Sequence, residues 1–301
     1  MKLNVGIIGL GNIGNIHYKI YKQIKNINKI YVVDIDYSKI ANLEGEKFTH
    51  YKDILGKINL VSIATPTSTH FEIAKFFLSN GINTFVEKPL TNNIKEAKEL
   101  LSIAQKKRVL LFVGHVERYN SAYLAIKKII QKPKFIECHR LSIFPYRSLD
   151  ISVVLDLMIH DLDIILDIVK DKVKKIEAKG VNVLSSTTDI ANARITFEKG
   201  CVANITSSRI SAKKERKIRV FIPNCYVSLD YAEQKVEIYR KCKNRIIKET
   251  IPIKKGEPLK REITDFIKMV KTKHFSLYIA HKALKALELA LNVQRIIEKD
   301  N

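Results

Sequence analysis

The sequence predicts an α/β protein with an N-terminal Rossmann domain, a doubly wound parallel sheet, and a C-terminal α/β domain with a largely antiparallel or mixed open sheet. Over residues 1–118, apolar runs alternate strictly with helical patterns, which is typical of right-handed βαβ crossovers. Over residues 119–301, several strands follow one another without intervening helices. We therefore expect two domains, 1–118 and 119–301, with the boundary at this change of pattern.

The first strand and helix begin the alternation. Leu3 to Gly9 is a compact apolar run that ends at glycine, as a parallel strand buried on both faces does. Isoleucines then recur at helical spacing from Ile13 to Ile24. The remaining elements of this half are predicted, in chain order, as strands at 30–33 and 60–64, a helix at 70–78, a strand at 82–86, a helix at 94–104 and a strand at 109–113.

The turn between the first strand and helix reads G-x-G-x-x-G. Its glycines are Gly9, Gly11 and Gly14, with Asn12 and Ile13 inside the motif. Such glycines allow a tight turn, close approach of the backbone to a pyrophosphate and close packing of helix on strand. The anion would lie at the helix N-terminus, where backbone N–H groups point outward. The motif therefore predicts dinucleotide binding by these five residues.

An acidic residue, Asp34, closes the second strand 20 residues after Gly14. A carboxylate there accepts hydrogen bonds from the ribose hydroxyls and repels a 2′-phosphate, so the pattern favours NAD over NADP. All five predicted strands end in polar or backbone-special residues, and the ends of parallel strands share one sheet edge where ligands bind. Besides Gly9 and Asp34, these ends are Thr65-Pro66, Glu87-Lys88-Pro89 and Gly114-His115.

Three motifs resemble the glucose-fructose oxidoreductase and inositol dehydrogenase (Gfo/Idh/MocA) family over essentially the whole chain. They are Ala64-Thr65-Pro66 with His70 behind it, Glu87-Lys88-Pro89, and the later Asp156-x-x-x-His160. The resemblance implies a nicotinamide-dependent dehydrogenase of a sugar or cyclitol, with an open sheet that supports substrate binding and oligomer contacts. A homodimer or homotetramer is expected. Further cofactor contacts are expected from Thr65, Pro66, His70, Glu87 and Lys88.

Lys88 is the first predicted catalytic residue. In the family, the lysine of this motif lies between nicotinamide and substrate, and the peptide bond before the proline, here Lys88-Pro89, is often cis. An ammonium offers three donors and no acceptor. It can therefore hold a substrate hydroxyl and stabilise the alkoxide that develops as hydride leaves carbon.

The second half begins with a predicted helix at 121–130. Strands are then predicted at 135–144, 176–184, 191–197, 202–207, 218–229 and 236–239, with helices at 260–270 and 279–298. An apolar helix is predicted at 153–169, and its polar residues recur at helical intervals. Asp156 and His160 lie four apart and so share one face. Asp163 and Asp167 are expected to form only the solvated stripe of this helix.

Asp156 and His160 match the D-x-x-x-H motif that the family places opposite its lysine. A neutral imidazole can remove the hydroxyl proton of the substrate, and Asp156 would orient His160 or a second hydroxyl. Both are therefore predicted, with Lys88, as catalytic and substrate-binding residues. Arg118, Tyr119 and Asn120 follow the fifth strand and are predicted as further substrate contacts.

Three functional classes remain open. The stretches GHVERYNSA, VVLDLMIHDLD and DIANARITFEKGCVANITSSRIS resemble the branch of the family that oxidises the 3-hydroxyl of UDP-N-acetylglucosamine for amino-sugar and lipid A precursors. The basic stretch Arg209 to Arg219 would then either grip the diphosphate or form a solvated hairpin. The alternatives are a dehydrogenase of a free cyclitol or sugar such as myo-inositol, and a non-enzymatic NAD-binding regulator.

Composition excludes several other classes. The chain has a net charge of +22, but its basic residues are diffuse and not interleaved with stacking aromatics, so no nucleic-acid partner is predicted. Apolar stretches are too short for a bilayer helix, so no membrane partner is predicted. The 4 cysteines lack CxxC spacing, which predicts neither a metal site nor a disulfide framework. A cytoplasmic location is expected.

Overall fold

The structure is a computed structural model and describes residues 2–144 and 151–299. The described residues fall into two units. The first comprises those of Met1–His115 together with Leu259–Leu284. The second comprises those of Val116–Pro258 together with Lys285–Asn301. Each unit contains one sheet.

The first unit contains a six-stranded, entirely parallel sheet in the order β3-β2-β1-β4-β5-β6. The predicted doubly wound Rossmann sheet is confirmed. Its strands are β1 (Leu3–Ile8), β2 (Ile27–Val33), β3 (Glu46–Phe48), β4 (Leu60–Ile63), β5 (Asn83–Glu87) and β6 (Leu111–Gly114). Its helices in this part of the chain are α1 (Asn12–Gln23), α2 (Thr67–Ser79) and α3 (Ile94–Lys107). Only β3, a three-residue edge strand, was not predicted.

The second unit contains an eight-stranded mixed sheet in the order β14-β13-β12-β11-β7-β10-β9-β8. Neighbouring strands are antiparallel except β7 and β10, which are parallel. The strands are β7 (Phe135–Leu141), β8 (Val173–Val181), β9 (Ile190–Phe197), β10 (Val202–Ser208), β11 (Glu215–Ile222), β12 (Cys225–Asp230), β13 (Lys235–Cys242) and β14 (Arg245–Thr250). The helices α4 (Ser121–Ile126) and α5 (Ile159–Val169) belong to this unit.

Two predictions for this sheet were wrong. The run 218–229 is a hairpin of β11 and β12 and not one strand, because Asn224 in the turn between them adopts a left-handed conformation with φ of 58°. The strand β14 was missed, since all of its residues are exposed and it lacks the alternation of a half-buried strand.

Two helices follow the second sheet in the chain, α6 (Pro258–Lys271) and α7 (Tyr278–Lys299). Apart from Pro258, α6 belongs to the first unit. There Phe266 packs edge-on against Phe85, with ring centroids 5.6 Å apart, and contacts Phe112 at 5.5 Å. The core of the Rossmann sheet thus contains an aromatic side chain from the last part of the chain.

Candidate active site

Two of the three glycines of the first turn have no space for a side chain. Gly9 has a φ of 85°, which favours glycine, and a Cβ there would lie 2.8 Å from the Ala64 carbonyl oxygen. A Cβ on Gly14 would lie 1.8 Å from the Gly9 oxygen. In contrast, a Cβ on Gly11 would meet nothing within 4 Å. Gly9 and Gly14 therefore close the turn, and Gly11 leaves space above the start of α1.

The N-terminus of α1 has no side-chain cap and no acidic residue in its first turn, which Asn12 and Ile13 begin. By comparison, Asn93 caps α3 by accepting a hydrogen bond from the Glu96 N–H at 2.9 Å. Uncapped N–H groups at a helix start attract an anion. This turn fits the pyrophosphate of a dinucleotide.

Asp34 lies at the end of β2 against the glycine turn and is 7% exposed. Its Oδ2 accepts a hydrogen bond from the Leu10 N–H at 2.7 Å, and its Oδ1 accepts one from the Asp36 N–H at 3.0 Å. The Lys39 ammonium is 3.6 Å from Oδ1. The adjoining cleft has a volume of about 300 Å³ and is lined by Gly9, Asp34, Ile35, Tyr51, Thr69 and other residues of the first unit. The residues present thus fit a dinucleotide, and Asp34 would accept hydrogen bonds from its ribose hydroxyls.

His70 connects the loops that follow β4 and β5. Its Nδ1 lies 2.9 Å from the Pro89 carbonyl oxygen, and its Nε2 lies 2.9 Å from the Thr65 carbonyl oxygen. Burial lowers the pKa of His70, and its carbonyl contacts partly offset this effect. Through this ring the Thr65-Pro66 loop is fixed to the Lys88-Pro89 loop. Contact of these residues with a cofactor remains a prediction.

Lys88 follows β5 directly and is half-buried. The Lys88-Pro89 peptide is cis, as the family resemblance predicted. The preceding residue, Glu87, is hydrogen-bonded to His17 of α1, with Oε1 2.8 Å from Nε2. His17 was not predicted as a site residue. Its only signal in the sequence is an imidazole three positions after Gly14, in a helix whose neighbouring buried positions are mainly apolar or aromatic.

In the second unit, Asp156 and His160 lie on either side of a change in helix type. The predicted helix 153–169 begins with a π-helical turn, Val154–Met158, before α5 starts at Ile159. A π-turn contains slightly more than four residues and an α-turn slightly fewer. Asp156 and His160, four residues apart across this change, therefore still lie about one turn apart. Asp156 and His160 are both half-buried. Short π-helical segments occur frequently at functional sites.

Asp163 and Asp167 do not form a solvated stripe, and that prediction was wrong. Their exposures are 1% and 5%. The Asp163 carboxylate accepts hydrogen bonds from both Nε of Arg118, at 2.6 Å, and Nη2 of Arg118. Asp167 accepts from the Tyr123 hydroxyl at 2.5 Å and lies 2.6 Å from the Lys127 ammonium. These pairs fix α5 to α4 and to the residues on either side of it.

The predicted substrate residues 118–120 are therefore partly committed to other contacts. Besides the Arg118 pair just described, the Asn120 side chain accepts from the Ala122 N–H at 3.0 Å and donates to the Tyr231 carbonyl at 3.0 Å. Tyr119 is half-buried. Contact of any of the three with substrate remains a prediction.

A buried ion cluster lies directly after His160 in the chain. Arg140 of β7 is 3% exposed and donates to both carboxylate oxygens of Asp161 at 2.9 Å. Its third donor group reaches Glu117 at 2.9 Å. Burial raises the pKa of Asp161, and Arg140 opposes that rise. This cluster was not predicted, and it fixes the helical turn that carries His160.

The basic stretch 209–219 is solvated only in part: residues 212–214 and 216 are exposed, whereas its two ends make ion pairs, and contact with a diphosphate remains a prediction. Arg209 is fully buried, with Nε 2.8 Å from Asp189 and Nη1 2.9 Å from the Ile151 carbonyl oxygen. Arg219 pairs with Glu137 on the sheet surface, with Nη1 2.9 Å from Oε2. Burial alone would raise the pKa of Asp189, but hydrogen bonds from Ser185, Arg209 and backbone N–H groups lower it overall.

Arg209→Met is expected to destabilise the protein by about 3–5 kcal/mol at neutral pH, because Asp189 would stay buried without its cation. Arg219→Met is the matched control, with an expected loss of about 0–1 kcal/mol for a partly exposed pair. Since the folded pKa of Asp189 is depressed, its stabilising effect is lost as the pH falls through that value. Urea titrations at several pH values measure the free energy of unfolding. The difference in this free energy between the parent and Arg209→Met should become smaller at acid pH, and a constant difference would contradict this account.

Other site types were also searched. Within residues 2–144 and 151–299, no group of three or more His, Cys, Asp or Glu side chains is arranged to hold a metal ion. None of the helices in that part of the chain has the length and apolar character needed to span a membrane.

The sequence matches two family profiles. That of an oxidoreductase family with an NAD-binding Rossmann fold, named GFO/IDH/MocA, matches residues 3–115. That of the GFO/IDH/MocA C-terminal domain matches residues 137–226. The first match lies in the first unit and the second match lies in the second unit.

Similar proteins match along most of the chain. The UDP-N-acetylglucosamine 3-dehydrogenase of Acidithiobacillus ferrooxidans is 31% identical over 277 residues, which cover 89% of this chain and 88% of that protein. A crystal structure of that dehydrogenase has a TM-score of 0.92 at 30% identity and covers 99% of both chains. The myo-inositol 2-dehydrogenase of Thermotoga maritima is 24% identical and covers 73% of this chain and 72% of its own.

Proposed function

The chain belongs to the GFO/IDH/MocA family of NAD-binding oxidoreductases, and on this premise we propose that it oxidises the 3-hydroxyl of UDP-N-acetylglucosamine or of a related nucleotide sugar. The main support is the dehydrogenase of that substrate, which is similar along nearly the whole of both chains. The inositol dehydrogenase is less similar over a shorter part. Oxidation of a free cyclitol is therefore the alternative.

We assign three side chains to the reaction. When bound, the nicotinamide supplies the hydride acceptor. His160 removes the proton of the substrate hydroxyl, which is worth roughly 10²–10⁴ in rate for a well-placed base. Lys88 donates to the same oxygen and stabilises its developing negative charge. Asp156 orients His160 or binds a neighbouring hydroxyl. The proposal requires Lys88 and His160 to reach one substrate oxygen.

We further propose that NAD is preferred over NADP. The support is Asp34, whose carboxylate lies at the end of β2 beside the glycine turn and would repel a 2′-phosphate. We also propose a cytoplasmic location and a homodimer or homotetramer, on the resemblance to the family.

Asp34→Asn is expected to reduce the preference for NAD over NADP, measured as the ratio of kcat/KM values, by about 10–10²-fold, the effect of one charge-assisted hydrogen bond. Asparagine keeps an oxygen that can accept from the Leu10 N–H, so the turn stays intact. It also frees Lys39, now 3.6 Å from the carboxylate, to bind a 2′-phosphate.

The double variant Asp34→Asn with Lys39→Met is the matched control for that prediction. It should lose the gain with NADP while keeping the kcat/KM for NAD of the single variant. An unchanged cofactor preference in Asp34→Asn would contradict the role given to Asp34.

A substrate panel tests the main proposal. The parent protein is incubated with NAD and either UDP-N-acetylglucosamine, N-acetylglucosamine 1-phosphate, N-acetylglucosamine or myo-inositol, and the absorbance of reduced nicotinamide is followed. We expect kcat/KM to be highest for the complete nucleotide sugar and to fall when uridine is removed. Equal or better turnover of myo-inositol would overturn the proposal in favour of the alternative.

A further inference from the structure

His17 is a buried histidine that contacts Glu87, the residue directly before the predicted catalytic lysine. Both His17 and Ser62 of β4 are fully buried. The imidazole Nδ1 lies 2.8 Å from the Ser62 hydroxyl oxygen, and Nε2 lies 2.8 Å from Glu87 Oε1. Its ring also packs edge-on against Phe85, with centroids 5.3 Å apart. One imidazole thus joins α1, β4 and β5.

The hydrogen bonds define which atoms donate. An ionised carboxylate only accepts, so the Nε2–H of His17 donates to Glu87. In the neutral ring Nδ1 accepts from the Ser62 hydroxyl, and in the protonated ring the Nδ1–H donates to the hydroxyl oxygen instead. Serine, histidine and glutamate stand in the order found in hydrolase triads, but no substrate can reach a serine that is 0% exposed. The arrangement therefore acts on Glu87 and not on a substrate.

Glu87 directly precedes Lys88 in the chain. Its side chain is only 14% exposed. Burial raises the pKa of Glu87, but the hydrogen bond with His17 and the charges of His17, Lys88 and His70 together lower it, so the net shift is downward. The charged or titratable groups that act on this carboxylate are His17 and Tyr21 from α1, His70 from α2, and Lys88 next to it. Of these, His17 has the strongest lowering effect.

We propose that His17 is a positioning residue that keeps Glu87 ionised and fixed, and through Glu87 sets the position of the Lys88 ammonium. This inference rests on the proposed function, because it assigns Lys88 a role in turnover. It also connects two parts of the first unit. The helix that opens at the dinucleotide turn carries His17, so the same rigid element would hold the cofactor and orient the catalytic lysine.

Two variants test the inference. His17→Phe removes both hydrogen bonds while filling similar space, and we expect kcat to fall by about 10–10²-fold, the effect of a displacement near 1 Å. The dissociation constant for NADH, measured by fluorescence, should stay within about threefold, because an uncapped helix start and Asp34 hold the cofactor. His17→Gln keeps an N–H near the position of Nε2 and should recover most of the lost kcat.

The pH dependence separates positioning from general damage. In His17→Phe the pKa of Glu87 should rise, so the carboxylate takes up a proton at higher pH than in the parent protein. Carbon-13 NMR of labelled glutamate carboxyls measures the same rise without any substrate. Leu100→Ala, a core truncation in α3, is the control that lowers stability while leaving kcat unchanged.

Three outcomes would overturn the inference. They are a parental kcat in His17→Phe, an unchanged titration of Glu87, and a loss of NADH affinity as large as the loss of kcat. Failure of the proposed function has a different signature, namely no turnover by the parent protein with any sugar or cyclitol. The carboxyl titration decides the role of His17 toward Glu87 in either case.

Discussion

Lys88→Met is expected to lower kcat by about 10²–10³-fold, the usual cost of removing one donor to a developing oxyanion. Methionine keeps the length and apolar stem of the side chain and removes only the ammonium. Binding of NADH should change little, because most of the proposed cofactor contacts come from the glycine turn and Asp34. The measurements are steady-state kinetics with UDP-N-acetylglucosamine and fluorescence titration with NADH.

Lys75→Met is the matched control for Lys88→Met. Lys75 lies on α2 of the same unit, is 44% exposed and pairs with Glu99 at 2.8 Å. Its replacement removes one ammonium from the unit and should leave kcat unchanged. Parental kcat in Lys88→Met, or loss of NADH affinity equal to its loss of turnover, would refute the catalytic assignment.

His160→Asn is expected to lower kcat by about 10²–10⁴-fold, because the substrate hydroxyl then loses its proton acceptor. The loss should shrink as pH rises, since hydroxide can replace the missing base. Asp156→Asn should cost less than His160→Asn, because it removes an orienting group and leaves the base in place. Profiles of kcat against pH for both variants supply the measurement.

His139→Asn is the matched control in the second unit. His139 is partly exposed on β7, between Glu137 and Glu215, and has no role in the proposed reaction. A double variant of Lys88→Met and His160→Asn adds a further check. If both groups serve one proton-coupled step, the double loss is much smaller than the product of the single losses. Losses that multiply would mean that the two side chains act independently.

The parts of the structure that could be predicted from sequence are those encoded locally. The glycine turn and Asp34 lie within one βαβ unit, so their spacing alone indicates their arrangement. Pro223 and Asn224 mark the turn of the hairpin at 218–229. Because apolar residues flank this turn on both sides, the pattern nevertheless predicts one continuous strand. Patterns of buried positions say little about an edge strand such as β14, which is exposed on every residue.

The polar contacts that support the site could not be predicted, because their partners are far apart in the sequence. His17 and Glu87 are 70 residues apart, Arg118 and Asp163 are 45 apart, and Arg140 and Asp161 are 21 apart. A buried aspartate has the same sequence signature as a solvated one until its partner is known. For this reason the sequence predicts a solvated stripe on α5, where the structure has buried ion pairs.

The return of α6 to the Rossmann sheet has a consequence for biosynthesis. While the ribosome is still translating the second sheet, Phe85 and Phe112 lack the ring of Phe266, and the His115 N–H lacks the Glu262 carboxylate that accepts it at 2.6 Å. The nascent dinucleotide-binding half therefore has an incomplete aromatic core until α6 has left the ribosome, although its own strands emerge first.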